Sequence, residues 1–142
     1  MMQRFLNSIE EFQAKSNAFV IKVERVPNVQ PKKFQGSQYL NFYIRIFIDI
    51  DNTTSSKNIY LMNDVSFVRY ELDPSYIEPT RISKDKSRNF ELKVWTYGFY
   101  RIKATVYLNL GSPIDLYGEV KFDVTEEEKR INRDELETGE KA

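Results

Sequence analysis

The sequence predicts an all-β protein: an immunoglobulin-like antiparallel β-sandwich with a short N-terminal helix and a charged C-terminal tail. Three observations lead there. Apolar and polar residues alternate with period two along segment after segment, and Pro, Gly, Asn, Asp and Ser clusters separate those segments. Strand-favouring aromatics are abundant, with ten Phe, nine Tyr and one Trp among 142 residues. The length suits a single domain of the usual ~100–150 residues.

The N-terminus is the exception to the period of two. Phe5, Ile9 and Phe12 fall at i, i+4 and i+7, with Leu6 beside them and Glu10, Glu11 and Gln13 facing away. This is an amphipathic helix over residues 4–15 whose stripe packs on the domain or on a second copy of the chain. From Phe19 the spacing changes: Phe19, Ile21 and Val23 alternate with Val20, Lys22 and Glu24. Residues 27–36 contain two Pro and a Gly and form a loop.

The clearest strand follows. Leu40, Phe42, Ile44, Ile46, Ile48 and Ile50 share one face, a pattern that no helix can produce. Residues 51–58 make a polar turn, and 59–62 a short edge strand. Val68, Tyr70 and Leu72 alternate next, and Pro74 and Pro79 then break the ladder. Phe90, Leu92 and Val94 form a further strand that ends at Trp95-Thr96-Tyr97-Gly98. Tyr100, Ile102, Ala104, Val106 and Leu108 form another, and Ile114, Leu116, Val120 and Phe122 the last. Thr125-Glu126-Glu127-Glu128 has the spacing of a capping box, which starts a helical turn. Beyond it, Lys129 to Ala142 offers few apolar groups and reads as frayed. The organisation is an N-terminal helix over 1–18, a sandwich over 19–124 and a charged tail over 125–142, partly helical or disordered.

Composition narrows the chemistry. Twenty-one basic residues balance 21 acidic ones, so no net field steers the domain to nucleic acid or an anionic surface. The absence of Cys and His removes thiolate and imidazole chemistry, including a Ser-His-Asp triad. Asp49-Ile-Asp51-Asn52 opens like a calcium loop but lacks its Gly and its bidentate Glu, so it reads as a hairpin turn. No enzyme activity, cofactor or metal is expected. With no signal segment and no apolar span, the expected location is cytoplasmic, away from membranes.

Two loops carry aromatic residues that a sandwich core does not require. Ser75-Tyr76 lies between two prolines, and Trp95-Thr96-Tyr97-Gly98-Phe99-Tyr100 gathers four aromatic rings around one Gly. The stretch from Val68 to Arg81, an alternating strand and then a Pro-flanked turn with Ser-Tyr, resembles the first signature of the YEATS family. Phe90 to Leu108 is similar to the second, with Trp-Thr-Tyr-Gly before a strand that ends in Val-Tyr-Leu. The wording resembles the prokaryotic branch most, over about residues 39–124.

That resemblance implies a non-enzymatic β-sandwich reader, whose eukaryotic members bind acylated lysine between two aromatic rings. It assigns Tyr76 and Tyr97 to the rings, Ser75 to the hydroxyl and the Tyr97–Gly98 backbone to the amide donors. Thr96 replaces a family Gly, and Phe99 stands where a smaller or acidic residue is usual and could close the channel. Tyr39 is a candidate further wall. The expected ligand-binding set is Ser75, Tyr76, Thr96, Tyr97, Gly98 and Phe99, taking an acylated lysine or similar flat polar group. Each residue also has a structural reading. Tyr76 could plug the sandwich end, Tyr97 and Trp95 could cover a sheet edge, and Ser75 could cap its own turn. The alternative function is a structural or assembly module of a larger prokaryotic complex, with the pocket closed. The expected partner is a protein or modified peptide. Nucleic acid is disfavoured, and a homo-oligomer through the N-terminal helix stays open.

Overall fold

The computed structural model describes residues 18–51 and 62–136. Within them run β1 (Phe19–Arg25), β2 (Phe42–Ile50), β3 (Val65–Glu71), β4 (Thr80–Ser83), β5 (Leu92–Thr96), β6 (Tyr100–Leu108) and β7 (Ile114–Val120). Helix α1 (Glu126–Ile131) and a 3-10 turn (Arg133–Leu136) follow. The strands form two antiparallel sheets, β1-β2-β5 and β4-β3-β6-β7, packed face to face as the sequence predicts.

The alternation in β2 explains its place at the centre of its sheet. Phe42, Ile44, Ile46 and Ile48 are fully buried, while Tyr43 and Arg45 point to the other face. Val68 and Tyr70 of β3, Ile102, Ala104 and Val106 of β6, and Ile114, Leu116 and Val120 of β7 meet them from the opposite sheet. Burying each large side chain of this kind contributes about 1.5–3 kcal/mol. On one side the sandwich closes where β1 meets β7. Gly118 occupies an inward position there, and a Cβ on it would touch Ile21 at 3.5 Å.

The other side, along β5, is closed by side chains of the opposite sheet and its loops. The Tyr70 hydroxyl donates to the Phe90 carbonyl (2.7 Å), Ser83 Oγ to the Glu91 carbonyl (2.9 Å) and the Tyr76 hydroxyl to the Trp95 carbonyl (2.8 Å). Three carbonyls on the run into and along β5 thus receive donors that no neighbouring strand supplies. Just before β5, Asn89 and Phe90 both have positive φ, 54° and 57°, and full burial of the Phe90 ring offsets that backbone cost.

The expected N-terminal helix over residues 4–15 lies outside the described residues. So do residues 59–61 of the expected edge strand; Met62 itself is helical, and its side chain packs on the core. One edge of the four-stranded sheet is β4, which the Pro74–Pro79 loop delivers back onto β3. The chain beyond Lys129 is folded as far as Leu136, contrary to the frayed tail. The Thr125 capping box forms, with Glu128 N–H donating to Thr125 Oγ1 (3.1 Å) and Thr125 N–H to the Glu128 carboxylate (2.9 Å). Arg25 then grips Glu128 through two bonds of 2.8 and 3.1 Å, and Leu136 is buried.

Two measurements test this account. Tyr70→Phe strands the Phe90 carbonyl in the core, and urea denaturation is expected to show a loss of about 1–3 kcal/mol; an unchanged midpoint contradicts the edge-sealing role. The Arg25 guanidinium holds the Glu128 carboxyl below the usual carboxylate range, against the opposing effect of burial. The folded pKa is depressed, so the stabilisation is present above the unfolded value near ~4.3 and is lost as pH falls through the folded one. The stability gap between the native chain and Glu128→Gln should therefore shrink steadily as the pH drops below about 4. A gap that grows on acidification contradicts the assignment.

Candidate functional site

A cavity of about 260 Å³ opens at the end of the sandwich where β3 and β5 finish and β6 begins. One wall is the loop after β3, with Asp73, Ser75 and Tyr76. The other is the β5–β6 turn, with Thr96, Tyr97, Gly98 and Phe99. All six predicted residues therefore line one space. Asn41 and Glu135 complete it from elements that the sequence reading left out of the site.

The first wall is shaped by Asp73. Its carboxylate accepts the Ser75 N–H (3.0 Å), and its carbonyl accepts the Tyr76 N–H (3.1 Å). The side chain that caps this turn is thus that of Asp73, not that of Ser75, and Ser75 remains exposed at the rim. Tyr76 is half-buried, and its ring meets that of Tyr100 edge-on at 5.9 Å. The Tyr100 hydroxyl donates to the Tyr76 hydroxyl (3.3 Å), which in turn donates to the Trp95 carbonyl. Tyr76 both lines the cavity and ties the two sheets together. Burial raises the pKa of both phenols, so they stay protonated at neutral pH.

The second wall differs from the expected pair of facing rings. Tyr97 stacks on Tyr39, with centroids 5.1 Å apart and planes 12° apart, so its partner is Tyr39 and not Tyr76. Tyr39, a candidate further wall in the sequence, backs the Tyr97 ring and does not itself line the cavity. Phe99 leans edge-on against Phe122 (4.9 Å) and so packs towards the core. Trp95 lies against Tyr43 (4.8 Å) and Phe34 (5.3 Å), covering the outer face of its sheet.

Two amides of this turn are engaged within the chain. Gly98 N–H donates to Thr96 Oγ1 (3.2 Å), and the Thr96 hydroxyl donates on to the Gly98 carbonyl (2.8 Å). Phe99 N–H donates to the Glu135 carbonyl (2.8 Å). The 3-10 turn passes so close that a Cβ on Gly98 would lie 2.6 Å from the Glu135 oxygen. Glycine is required here by this approach and not by backbone dihedrals.

Asn132 fixes the whole arrangement. It is completely buried, accepts the Leu40 N–H (3.0 Å), and donates to the carbonyls of Leu40 (2.8 Å) and Tyr97 (2.9 Å). The loop carrying Tyr39 and the turn carrying Tyr97 are thereby held to one side chain. Among the described residues, no group of three or more acidic residues is placed to hold a metal, and no helix is long and apolar enough to cross a membrane.

The profile described as pYEATS, prokaryotic YEATS domain, matches residues 42–121. The chain belongs to the prokaryotic YEATS domain family. No curated protein sequence matches it significantly. Among solved structures it is similar to the Yaf9 YEATS domain bound to H3K27ac, at 16% identity and a TM-score of 0.51, over 75% of this chain and 71% of that one. The yeast AF-9 homolog Yaf9 gives the same identity and TM-score over 75% and 72%. At such identity the likeness is one of fold. The segment holding Asn132 and Glu135 lies beyond the residues that this prokaryotic YEATS profile covers.

Asn132→Ala is expected to leave three part-buried backbone groups without their partner and to cost about 2 kcal/mol in urea unfolding. The Leu40 amide should also exchange with deuterium far faster in the variant. Native-like protection of that amide would show that the side chain does not hold the two loops.

Proposed function

We propose that this YEATS domain is a non-enzymatic recognition module that takes the flat polar end of a peptide side chain, such as an acylated lysine, in the cavity between residues 73–76 and 95–100. The observation that carries this reading is the convergence of Ser75, Tyr76, Tyr97 and Gly98, distant in sequence, on one cavity of a YEATS sandwich. The structure of Yaf9 with H3K27ac shows that a YEATS domain of that protein binds an acetylated histone site. Tyr97 offers a ring backed by Tyr39, and a planar group stacked on such a ring gains about 0.5–1.5 kcal/mol beyond area burial. Enzyme chemistry is disfavoured because the sequence holds no His or Cys and the Tyr76 and Tyr100 phenols are held protonated.

A second reading, an assembly module with the pocket closed, draws support from one observation. The Gly98 and Phe99 amides already have partners within the chain. The two readings part on a titration of the full chain with blocked peptides whose central residue is acetyl-lysine, citrulline, arginine or lysine, followed by amide NMR shifts. The recognition reading expects saturable shifts at Ser75, Tyr97 and Gly98 with at least one member. It also expects affinity about tenfold or more weaker in Tyr97→Ala, equivalent to ~1.4 kcal/mol. Flat titrations across the panel leave only the assembly module.

A further inference from the structure

The hydrogen-bonding capacity around the cavity is unevenly spent. Its donors are largely used within the chain. The Ser75, Tyr76, Gly98 and Phe99 amides go to Asp73 Oδ1, the Asp73 carbonyl, Thr96 Oγ1 and the Glu135 carbonyl. The Tyr76, Tyr100 and Thr96 hydroxyls donate to the Trp95 carbonyl, the Tyr76 hydroxyl and the Gly98 carbonyl. What remains is mostly acceptor: the second carboxylate oxygen of Asp73, the carboxylate of Glu135, and the side-chain oxygen of Asn41, whose amide nitrogen donates to the Tyr39 carbonyl. The Ser75 and Tyr97 hydroxyls can act either way, and the Trp95 indole N–H can only donate. Two lining residues end in carboxylates and none is Lys or Arg. The nearby cation is Arg81, which lies over the Tyr76 ring at 5.9 Å, binds the Glu78 carbonyl through Nε and is not part of the lining.

An acylated lysine needs the opposite complement. Its amide carries one N–H and a carbonyl that must receive a donor, and burying that carbonyl without one costs about 1–3 kcal/mol. A guanidinium is just as flat, stacks on aromatic faces, carries five N–H donors and no acceptor, and pairs with carboxylates through a planar fork. We infer that the flat group this cavity takes is a guanidinium on an alkyl stem, the arginine side chain of a partner peptide, stacked on Tyr97 and facing Asp73 and Glu135. This rests on the recognition reading above and specifies its ligand.

The test uses the full chain and four blocked peptides that differ only at the central residue: arginine, citrulline, lysine and acetyl-lysine. Free arginine is a fifth probe. Citrulline keeps the plane and removes the charge, and lysine keeps the charge and removes the plane. By calorimetry or NMR titration, the arginine peptide is expected to bind about tenfold or more tighter than each of the other three. Asp73→Asn combined with Glu135→Gln should weaken the arginine peptide about tenfold and leave citrulline within about twofold. Raising salt from ~0.05 to ~0.3 M should weaken the arginine peptide alone of the planar pair, a check that needs no variant. Acetyl-lysine or citrulline binding as tightly as arginine overturns this inference and leaves the recognition reading standing, and lysine matching arginine overturns it as well. Free arginine matching the peptide overturns the peptide as the source of the guanidinium. Silence from all five probes overturns this inference and the recognition reading together and leaves the assembly module.

Discussion

An open sandwich leaves one row of strand carbonyls with no neighbouring strand to supply donors, and satisfying them is the constraint on which this structure turns. Along β5 the task falls to Tyr70, Ser83 and Tyr76, side chains that come from the other sheet or its loops. At the end of the sandwich it falls to Asn132 and the Phe99–Glu135 backbone bond. Each of these bonds is worth only about 1 kcal/mol net, but each carbonyl or amide left bare in the interior costs more than that. The chain thus has little freedom to move these residues. The rings around the cavity are held in place because they, or their neighbours, are completing the backbone.

This shared duty shapes the chemistry of the site. Tyr76 cannot swing aside to admit a ligand without releasing the Trp95 carbonyl and the Tyr100 hydroxyl. Tyr97 is pinned through its carbonyl and backed by Tyr39, so one ring face is occupied before any ligand arrives. A preorganised wall of this kind lowers the ordering cost of binding. It also engages the Gly98 and Phe99 amides, which are then not available to receive a carbonyl. The same contacts that make the cavity rigid underlie the ligand chemistry proposed for it.

The strands were legible in the sequence because period-two burial is a local signal. Phe42, Ile44, Ile46 and Ile48 announce a buried strand face whatever the rest of the chain does, and all four are fully buried. The two loops of the site were legible for a related reason, since aromatics beside Pro and Gly have no work to do in a strand ladder. The partners of those aromatics were not. Whether Tyr97 meets Tyr76 or Tyr39 depends on how loops far apart in sequence settle, and alternation does not encode that. β4 escaped notice because Thr80–Ser83 is four residues long and its one apolar residue, Ile82, points to solvent.

The C-terminal segment was the largest miss, and its cause is instructive. Thr125–Glu128 signalled a helix start, but Lys129–Leu136 carries so little apolar surface that hydrophobic burial alone could not hold it. Polar contacts hold it instead: the Arg25–Glu128 pair, the three bonds of Asn132 and the Glu135 carbonyl on Phe99. Gly98 is the trace of this segment inside the sandwich, because only a residue without Cβ admits the Glu135 carbonyl at that distance. A short polar strap can therefore be as much a part of the fold as a strand. Since this one supplies Glu135 to the cavity and positions Tyr97, the proposed binding site extends past the end of the family match at residue 121.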